Sequence, residues 1–348
     1  MQLKLWHYDL PLKHPFTISR ETITEQPTLI VELCCDGESG FGEATTNSYY
    51  GVTIDSMASG LEACRDVIEA FDWSTGRPEQ LWEQLAPRLR DNPFALCAVD
   101  QAAYDLWGKL QGKPVYELWG LDASSIPESN YTIGIDSIDT MVEKLQEFGD
   151  WPIYKIKLGT DRDRSVIERL RQETDARFRV DANCGWKPEE VLGHAEFMKS
   201  YGVEFIEQPL PADAWEPMKQ IFRASPLPVI ADESCREEPD VPCCDGFFHG
   251  VNIKLVKCGG LTPARRMIEA ARLRQMKVMV GCMTESSVGI SAIAQLLPML
   301  DHVDMDGAVL LARDIAEGVV VERGRCQYPD RPGCGVVLNS EGRRVDPY

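Results

Sequence analysis

Eight short runs rich in β-branched and aromatic residues begin near Tyr131, Ile153, Phe178, Glu204, Pro228, Val251, Lys277 and His302. They recur roughly every 25 residues, with helix-compatible stretches between them, and this rhythm restricts the chain more than any other feature. A strand that must lie parallel to its predecessor needs such a crossover, and eight repeats are what a closed (β/α)8 barrel requires. Ahead of the repeats, residues 1 to 34 alternate as strands do, and Gly37-Glu38-Ser39-Gly40-Phe41-Gly42-Glu43 reads as a hairpin-like turn between extended segments. The pattern is helical from 57 to 111. Asn92-Pro93 opens a segment in which Ala95, Ala98, Val99, Ala102, Ala103, Leu106 and Trp107 recur at helical spacing, and Gly112 with Pro114 ends it. After Asp314 the chain is Gly- and Pro-rich and extended. The expected architecture is α/β: an α+β capping domain over residues 1–120, a (β/α)8-type barrel over 121–314, and a C-terminal segment, 315–348, that returns to the cap as strands.

With 36 Lys+Arg against 55 Asp+Glu, the formal charge is −19, which repels phosphate backbones and anionic lipid surfaces. Neither nucleic acid nor a membrane is expected as a partner. The start lacks a basic region followed by an apolar run, and nowhere do about 18 uncharged apolar residues stand together, so a cytoplasmic location is expected. The twelve cysteines include no Cys-x-x-Cys and no His spacing suited to structural zinc. Reduced, buried thiols are expected; Cys326 and Cys334 either bridge or are plain loop residues.

In a βα barrel the active site lies at the C-terminal ends of the strands, and those ends are unusually charged here. Run three ends Val180-Asp181-Ala182-Asn183, run four Phe205-Ile206-Glu207-Gln208-Pro209, and run five Val229-Ile230-Ala231-Asp232-Glu233-Ser234. Three acids from successive strands converge at the mouth and repel one another unless a cation lies among them. Asp181, Glu207 and Asp232 are therefore candidate ligands, and an all-oxygen set favours Mg2+, or Mn2+, over zinc.

Run two contains Lys155-Ile156-Lys157, whose alternation points both lysines to one side of the sheet. Crowded ammonium groups are expected to lower each other's pKa, making a base. Lys254, in Asn252-Ile253-Lys254, comes from a run nearly opposite, whereas Lys257 is expected to play a supporting part. Such a layout suits proton abstraction beside a carboxylate, because a divalent ion offsets the charge of the resulting enediolate. A second lysine on the opposite face returns the proton and inverts the centre, which is racemase or epimerase chemistry.

Together, Lys155-Ile156-Lys157, Asp181-Ala182-Asn183, Glu207-Gln208-Pro209, Asp232-Glu233-Ser234 and Asn252-Ile253-Lys254 resemble the enolase superfamily, in its muconate-lactonizing-enzyme-like subgroup, across nearly the whole chain. The resemblance implies a cap built from both chain ends and one Mg2+ per subunit held by Asp181, Glu207 and Asp232. It also implies an acid/base pair of Lys157 and Lys254, with Lys155 on the substrate carboxylate.

The subgroup also holds cycloisomerases, o-succinylbenzoate synthases and N-acylamino-acid racemases. Run eight, His302-Val303-Asp304-Met305-Asp306-Gly307, looks like the Asp-x-Asp element of the family's dipeptide epimerases. Paired carboxylates there reward an α-ammonium group with charge-assisted hydrogen bonds. The stretch Cys282-Met283-Thr284 after run seven likewise resembles that group's substrate-lining segment; a nucleophilic Cys282 is disfavoured, since no histidine with an orienting partner is evident near it in sequence. Arg20 falls in the loop that in this family closes over the site, where it either pairs with an acidic substrate side chain or remains a surface or general contact, and Thr132 is a candidate for the substrate wall. The expected function is epimerisation of dipeptides, L-Ala-D/L-Glu or a similar L-Xaa-L-Yaa. The other enolate reactions of the subgroup, and a non-catalytic scaffold, are the competing readings. The sequence leaves a homo-oligomer open.

Overall fold

The computed structural model describes residues 1–19, 21–339 and 342–345. At the N-terminus, β1 (Gln2–Thr17), β2 (Thr22–Cys35) and β3 (Glu38–Thr45) form an antiparallel sheet. Cys35 pairs with Glu38, so the turn is only Asp36-Gly37, both at positive φ (51° and 84°), as a two-residue hairpin turn needs. The expected seven-residue turn is thus corrected: Gly40 and Gly42 lie within β3. They are glycines because of what covers them, since a Cβ on Gly42 would stand 2.0 Å from the Ala98 carbonyl oxygen and one on Gly40 2.3 Å from that of Ala102.

Helices α1 (Ile54–Glu62), α2 (Arg65–Glu69), α3 (Pro78–Leu85), α4 (Pro93–Gln111) and α5 (Val115–Leu118) follow. Within α4 the Asn92 side chain accepts from Ala95 N, Pro93 occupies the first turn, and Gly112 closes the helix at φ 65°, which are the expected start and stop signals. Fifteen of its nineteen residues are buried, which marks a helix covered on all sides.

The repeats form β4 (Tyr131–Ile133), β5 (Ile153–Lys157), β6 (Arg177–Asp181), β7 (Val203–Glu207), β8 (Val229–Ala231), β9 (Gly250–Ile253), β10 (Lys277–Gly281) and β11 (His302–Asp304). Among the described residues these eight strands make one parallel sheet in sequence order. A parallel bridge between Ser129 and Val303 brings its two edges together, helped by Met305 N donating to Ser129 Oγ at 3.0 Å. Between the strands run α6 (Ile138–Glu147), α7 (Asp163–Arg171), α8 (Pro188–Ser200), α9 (Trp215–Ala224), α10 (Asp240–Cys244), α11 (Leu255–Cys258), α12 (Leu261–Leu273) and α13 (Ser287–Ala294). Run six is shorter than it reads: the strand stops at Ile253, and Lys257 belongs to α11. Phe205, Ile230 and Met279 form a small apolar cluster of their own, apart from the large core.

Three buried acids on the cap side bind backbone donors across the fold. Glu43 accepts from Ser286 N and Gly289 N at the start of α13, Asp100 from Thr262 N at the start of α12, and Asp105 from Phe41 N and Cys334 N. The first two place negative charge where helix N-termini favour it. The tail contributes β12 (Ala316–Glu317), β13 (Val320–Glu322), β14 (Arg325–Gln327), β15 (Val337–Leu338) and β16 (Arg343–Arg344). Among the described residues of the tail only β16 joins the cap sheet, beside β1; β12 pairs with β15 and β13 with β14. All twelve cysteines are free, so Cys326 and Cys334 are not bridged. Among the described residues no helix is long and apolar enough to cross a membrane.

Because backbone, not a flexible side-chain tip, surrounds Gly42, Gly42→Ala is expected to destabilise the protein by about 1–3 kcal/mol. Urea unfolding should show the lower midpoint at unchanged slope.

Candidate active site

Alternation along each strand decides what enters the barrel. On β5 it turns Ile153, Lys155 and Lys157 one way, on β6 Arg177, Arg179 and Asp181, and on β7 Val203, Phe205 and Glu207. Register then sets their height: Lys157 pairs with Asp181, and Asp181 with Glu207. Carboxylate oxygens of Asp181, Glu207 and Asp232 consequently lie within 4.8 Å of one another, all three side chains buried.

The loops after these strands are stitched by side chains. Gln208, held at φ 34°, accepts from Asp232 N (2.9 Å) and Ser234 N (3.1 Å) and donates to Leu210 O and Ser234 Oγ, so it fixes the exit of β8. Asn252 Nδ2 donates to Glu207 Oε1 at 2.7 Å. Lys257 Nζ donates to Asp232 Oδ1 and to the Asp232 and Cys235 carbonyl oxygens, bracing that carboxylate from behind. Asn183 and Cys184, just past Asp181, both take left-handed φ values, 45° and 65°, a costly conformation for non-glycine residues and one common at functional sites.

Four ammonium groups enter the acid cluster. Lys157 Nζ is 2.7 Å from Asp181 Oδ2, Lys254 Nζ 3.1 Å from Asp232 Oδ2, and Lys257 contacts Asp232 as above. Lys155 Nζ lies 3.3 Å from Asp181 Oδ2, 2.8 Å from Glu207 Oε2 and 2.8 Å from Asp304 Oδ2. The expectation that the lysines depress one another is corrected here. Burial pulls the pKa of Lys155 and of Lys254 down, but the facing carboxylates, Asp304, Glu207 and Asp181 for the one and Asp232 for the other, more than reverse it, so both stand above the ordinary lysine value. Among the acids, burial and neighbouring Asp181 push Glu207 up to about 7. Burial also opposes ionisation of Asp181 and Asp232, yet the lysines hold both below the usual range.

Glu207 Oε2 is buried without a hydrogen bond, Lys155 Nζ standing off its bonding directions. An all-oxygen triad with an orphaned inward lone pair fits a hard divalent cation. This is the candidate metal centre. Cys282, Asp304 and Asp306 also come within 4.8 Å of one another; burial raises the Cys282 thiol well above its usual pKa, opposite to an activated nucleophile.

One pocket between cap and barrel unites most of the candidates. Lys157, Asp232, Lys254, Thr132, Asp304 and Asp306 line it, as do Cys282, Met283 and Thr284. Lys157 ends β5 and Lys254 follows β9, four places apart in a ring of eight, so they face each other across the mouth. Asp304 accepts from Asn130 Nδ2 at 2.7 Å as well as from Lys155, and Asp306 accepts from Thr132 N at 2.5 Å. Lys155, 1% exposed, lies beneath the pocket and not on its lining. Arg20 lies outside the described residues.

Sequence reading places specificity in the loop near Thr46 to Thr53, whose Tyr49 and Tyr50 line the pocket, but it missed Phe16, Ile18 and Ile23 from β1, β2 and their connection, which line it too. No local signal separates these from ordinary cap residues. Asn252 was legible, since it stands in the same short motif as Lys254, but its bond to Glu207 spans 45 residues.

Two family models match: the mandelate racemase / muconate lactonizing enzyme N-terminal domain over residues 2–120, and the enolase C-terminal domain-like model over 138–342. An L-Ala-D/L-amino acid epimerase of Flavobacterium johnsoniae is 55% identical, covering 97% of this chain and 100% of that protein. The L-Ala-D/L-Glu epimerase of Bacteroides thetaiotaomicron is 39% identical over 97% of this chain and 88% of its own length. The solved structure of a dipeptide epimerase from Methylococcus capsulatus, complexed with Mg and the dipeptide L-Arg-D-Lys, is 32% identical with a TM-score of 0.89, covering 97% of this chain and 99% of that one. The chain thus belongs to the mandelate racemase / muconate lactonizing enzyme family of the enolase superfamily, and it is an isomerase.

Proposed function

We propose that this protein epimerises dipeptides, L-Ala-D/L-Glu or a similar L-Xaa-L-Yaa, by moving a proton between two lysines on opposite faces of one carbon. The observation that carries the reading is the placement of Lys157 and Lys254 across the mouth, with the acid triad on one flank and Asp304 and Asp306 on another. The names of the relatives support it. The same reading divides the chain into a cap (1–120, joined by 315–348) and a barrel (121–314).

Asp181, Glu207 and Asp232 would hold Mg2+, which when bound supplies positive charge to the substrate carboxylate and so acidifies the adjacent C–H. Once the Asp232 charge that raises Lys254 is taken up by a cation among the triad, the lysine Nζ on one face stands neutral and takes the α-proton; the C–H electron pair moves into the carboxylate; the opposite lysine's ammonium then delivers its proton to the other face. Asp304 and Asp306 bind the dipeptide's α-ammonium group by charge-assisted hydrogen bonds, and Thr132 N holds Asp306 in place. With carboxylate and amino terminus so directed, the side chain of the second residue faces the cap wall of Phe16, Ile18, Ile23 and Tyr49.

Lys157→Ala and Lys254→Ala are each expected to lower epimerisation at least ~10³-fold. In D2O with Mg2+, each variant should still exchange the α-proton of one epimer, a different one in each case, as read by NMR. Loss of exchange from both epimers in either variant would remove the two-base assignment.

Asp304→Asn should raise KM for a dipeptide by about 30-fold, the worth of a charged hydrogen bond of ~2 kcal/mol. An unchanged KM would instead favour a substrate without an ammonium group, such as an o-succinylbenzoate precursor or an N-acylamino acid.

Mg2+ should raise the melting temperature of the wild-type protein by mass action, and Asp232→Asn should abolish that rise. Differential scanning calorimetry with and without EDTA tests this.

A further inference from the structure

The segment that lines the pocket after β10 is held from behind by a pair of acids to which the reaction gives no task. Glu285 is buried, 3% exposed, and its Oε1 accepts from Met283 N at 2.9 Å while its Oε2 has no hydrogen-bond partner. That oxygen is pressed onto α13: a Cβ on Gly289 would stand 2.2 Å from it. Gly307, beyond β11, touches the same segment, since its Cβ would lie 2.8 Å from Glu285 N and 2.6 Å from Met283 O. Beside it, Glu43 from β3 takes the donors at the start of α13: Ser286 N, Ser286 Oγ and Gly289 N, with Thr28 Oγ1 as a fourth.

The division of donors decides where one negative charge resides. Burial raises the carboxyl pKa of both, but Glu43 accepts from four donors and Glu285 from one, so of the two Glu285 holds its proton more firmly. The charged and titratable groups that face Glu285 are Glu43 on β3, Lys254 at the end of β9, Cys97 on α4 and Cys282 at the end of β10. Only Lys254 favours its ionised form, and burial and Glu43 outweigh it, pushing Glu285 up to about 8.

We propose that Glu285, in its protonated form, is a positioning residue that clamps the pocket-lining segment Cys282–Thr284 between the cap and α13, and that loss of its proton releases this wall. The role in turnover rests on the dipeptide reading above, because it takes Cys282–Thr284 as substrate wall; the clamp itself does not. A negative charge forming beside Glu43 with Met283 N as its one donor must draw in water or swing away, and either movement displaces Met283 N, which the same carboxyl holds.

The test is Glu285→Gln, a neutral side chain of the same shape. Wild-type holoenzyme should lose affinity for the dipeptide as pH rises through 8, KM increasing several-fold between pH 7 and 9 with kcat changing less. Glu285→Gln should match wild type within about threefold at pH 7 and show a clearly smaller KM rise across that range, the part that remains being loss of the dipeptide's own α-ammonium proton at about pH 8. An independent readout needs no turnover. A carboxyl whose pKa is raised on folding, from an ordinary 4.5 to about 8, makes the folded state bind the extra proton, so stability falls as pH rises between those values and then levels. Melting curves from pH 5 to 9 should therefore descend less steeply for Glu285→Gln than for wild type. Equal melting slopes for the two proteins overturn the clamp, whatever the substrate is. A flattened melting slope with an alkaline KM rise as steep as that of wild type overturns the link to the pocket. Should Glu285→Gln fail to fold, Gly289→Ala takes its place: its methyl evicts Oε2, and KM at pH 7 should rise at least fivefold, an unchanged KM refuting the proposal.

Discussion

Four ammonium groups and four carboxylates share the mouth of this barrel: Lys155, Lys157, Lys254 and Lys257 with Asp181, Glu207, Asp232 and Asp304. Each is taken out of water at a cost of several kcal/mol, and mutual attraction offsets this only where geometry is good. Such a cluster does not make the fold more stable than an apolar plug would. Its place at the C-terminal strand ends, above an apolar layer of Phe205, Ile230 and Met279, is intelligible on the proposed reading: lysines opposed across the mouth, an acid-lined gap suited to a hard cation, and further acids on the pocket wall.

The remainder of the structure holds that cluster still. Gln208, Asn252 and Lys257 each satisfy one carboxylate or its backbone, and the price in conformation is visible at Asn183, Cys184 and Gln208, all left-handed. The cap is tied on by carboxylates as well. Glu43 and Asp100 reach from β3 and α4 to the first turns of α13 and α12, the helices that follow the strands bearing Lys254 and the Cys282–Thr284 wall. The cap is thereby tied to the pocket's surroundings through two helix starts.

Much of this was legible in the chain. Strand starts fall within a residue of the runs, because a barrel strand is bounded by turn residues and is too short for its ends to drift. The motifs at strand ends were legible for a related reason: alternation and register fix which residues reach the mouth, so Asp181, Glu207 and Asp232 meet once the strands are parallel. The seven-residue turn after β2 was misread because Gly40 and Gly42 are required by the approach of α4, a contact made 56 to 66 residues away in sequence.

The lysine protonation was misread for the same cause. Neighbours along β5 suggested mutual depression, whereas the carboxylates that dominate Lys155 arrive from β6, β7 and β11. The sequence by itself determined the eight-fold repeat, the charged strand ends and hence the kind of reaction, since these depend on periodicity and residue type. Only the tertiary structure decided the charge states, the cap wall of Phe16, Ile18 and Tyr49, and the Glu43–Glu285 pair, because burial and the sum of Coulomb terms depend on groups that meet in space and are far apart in the chain.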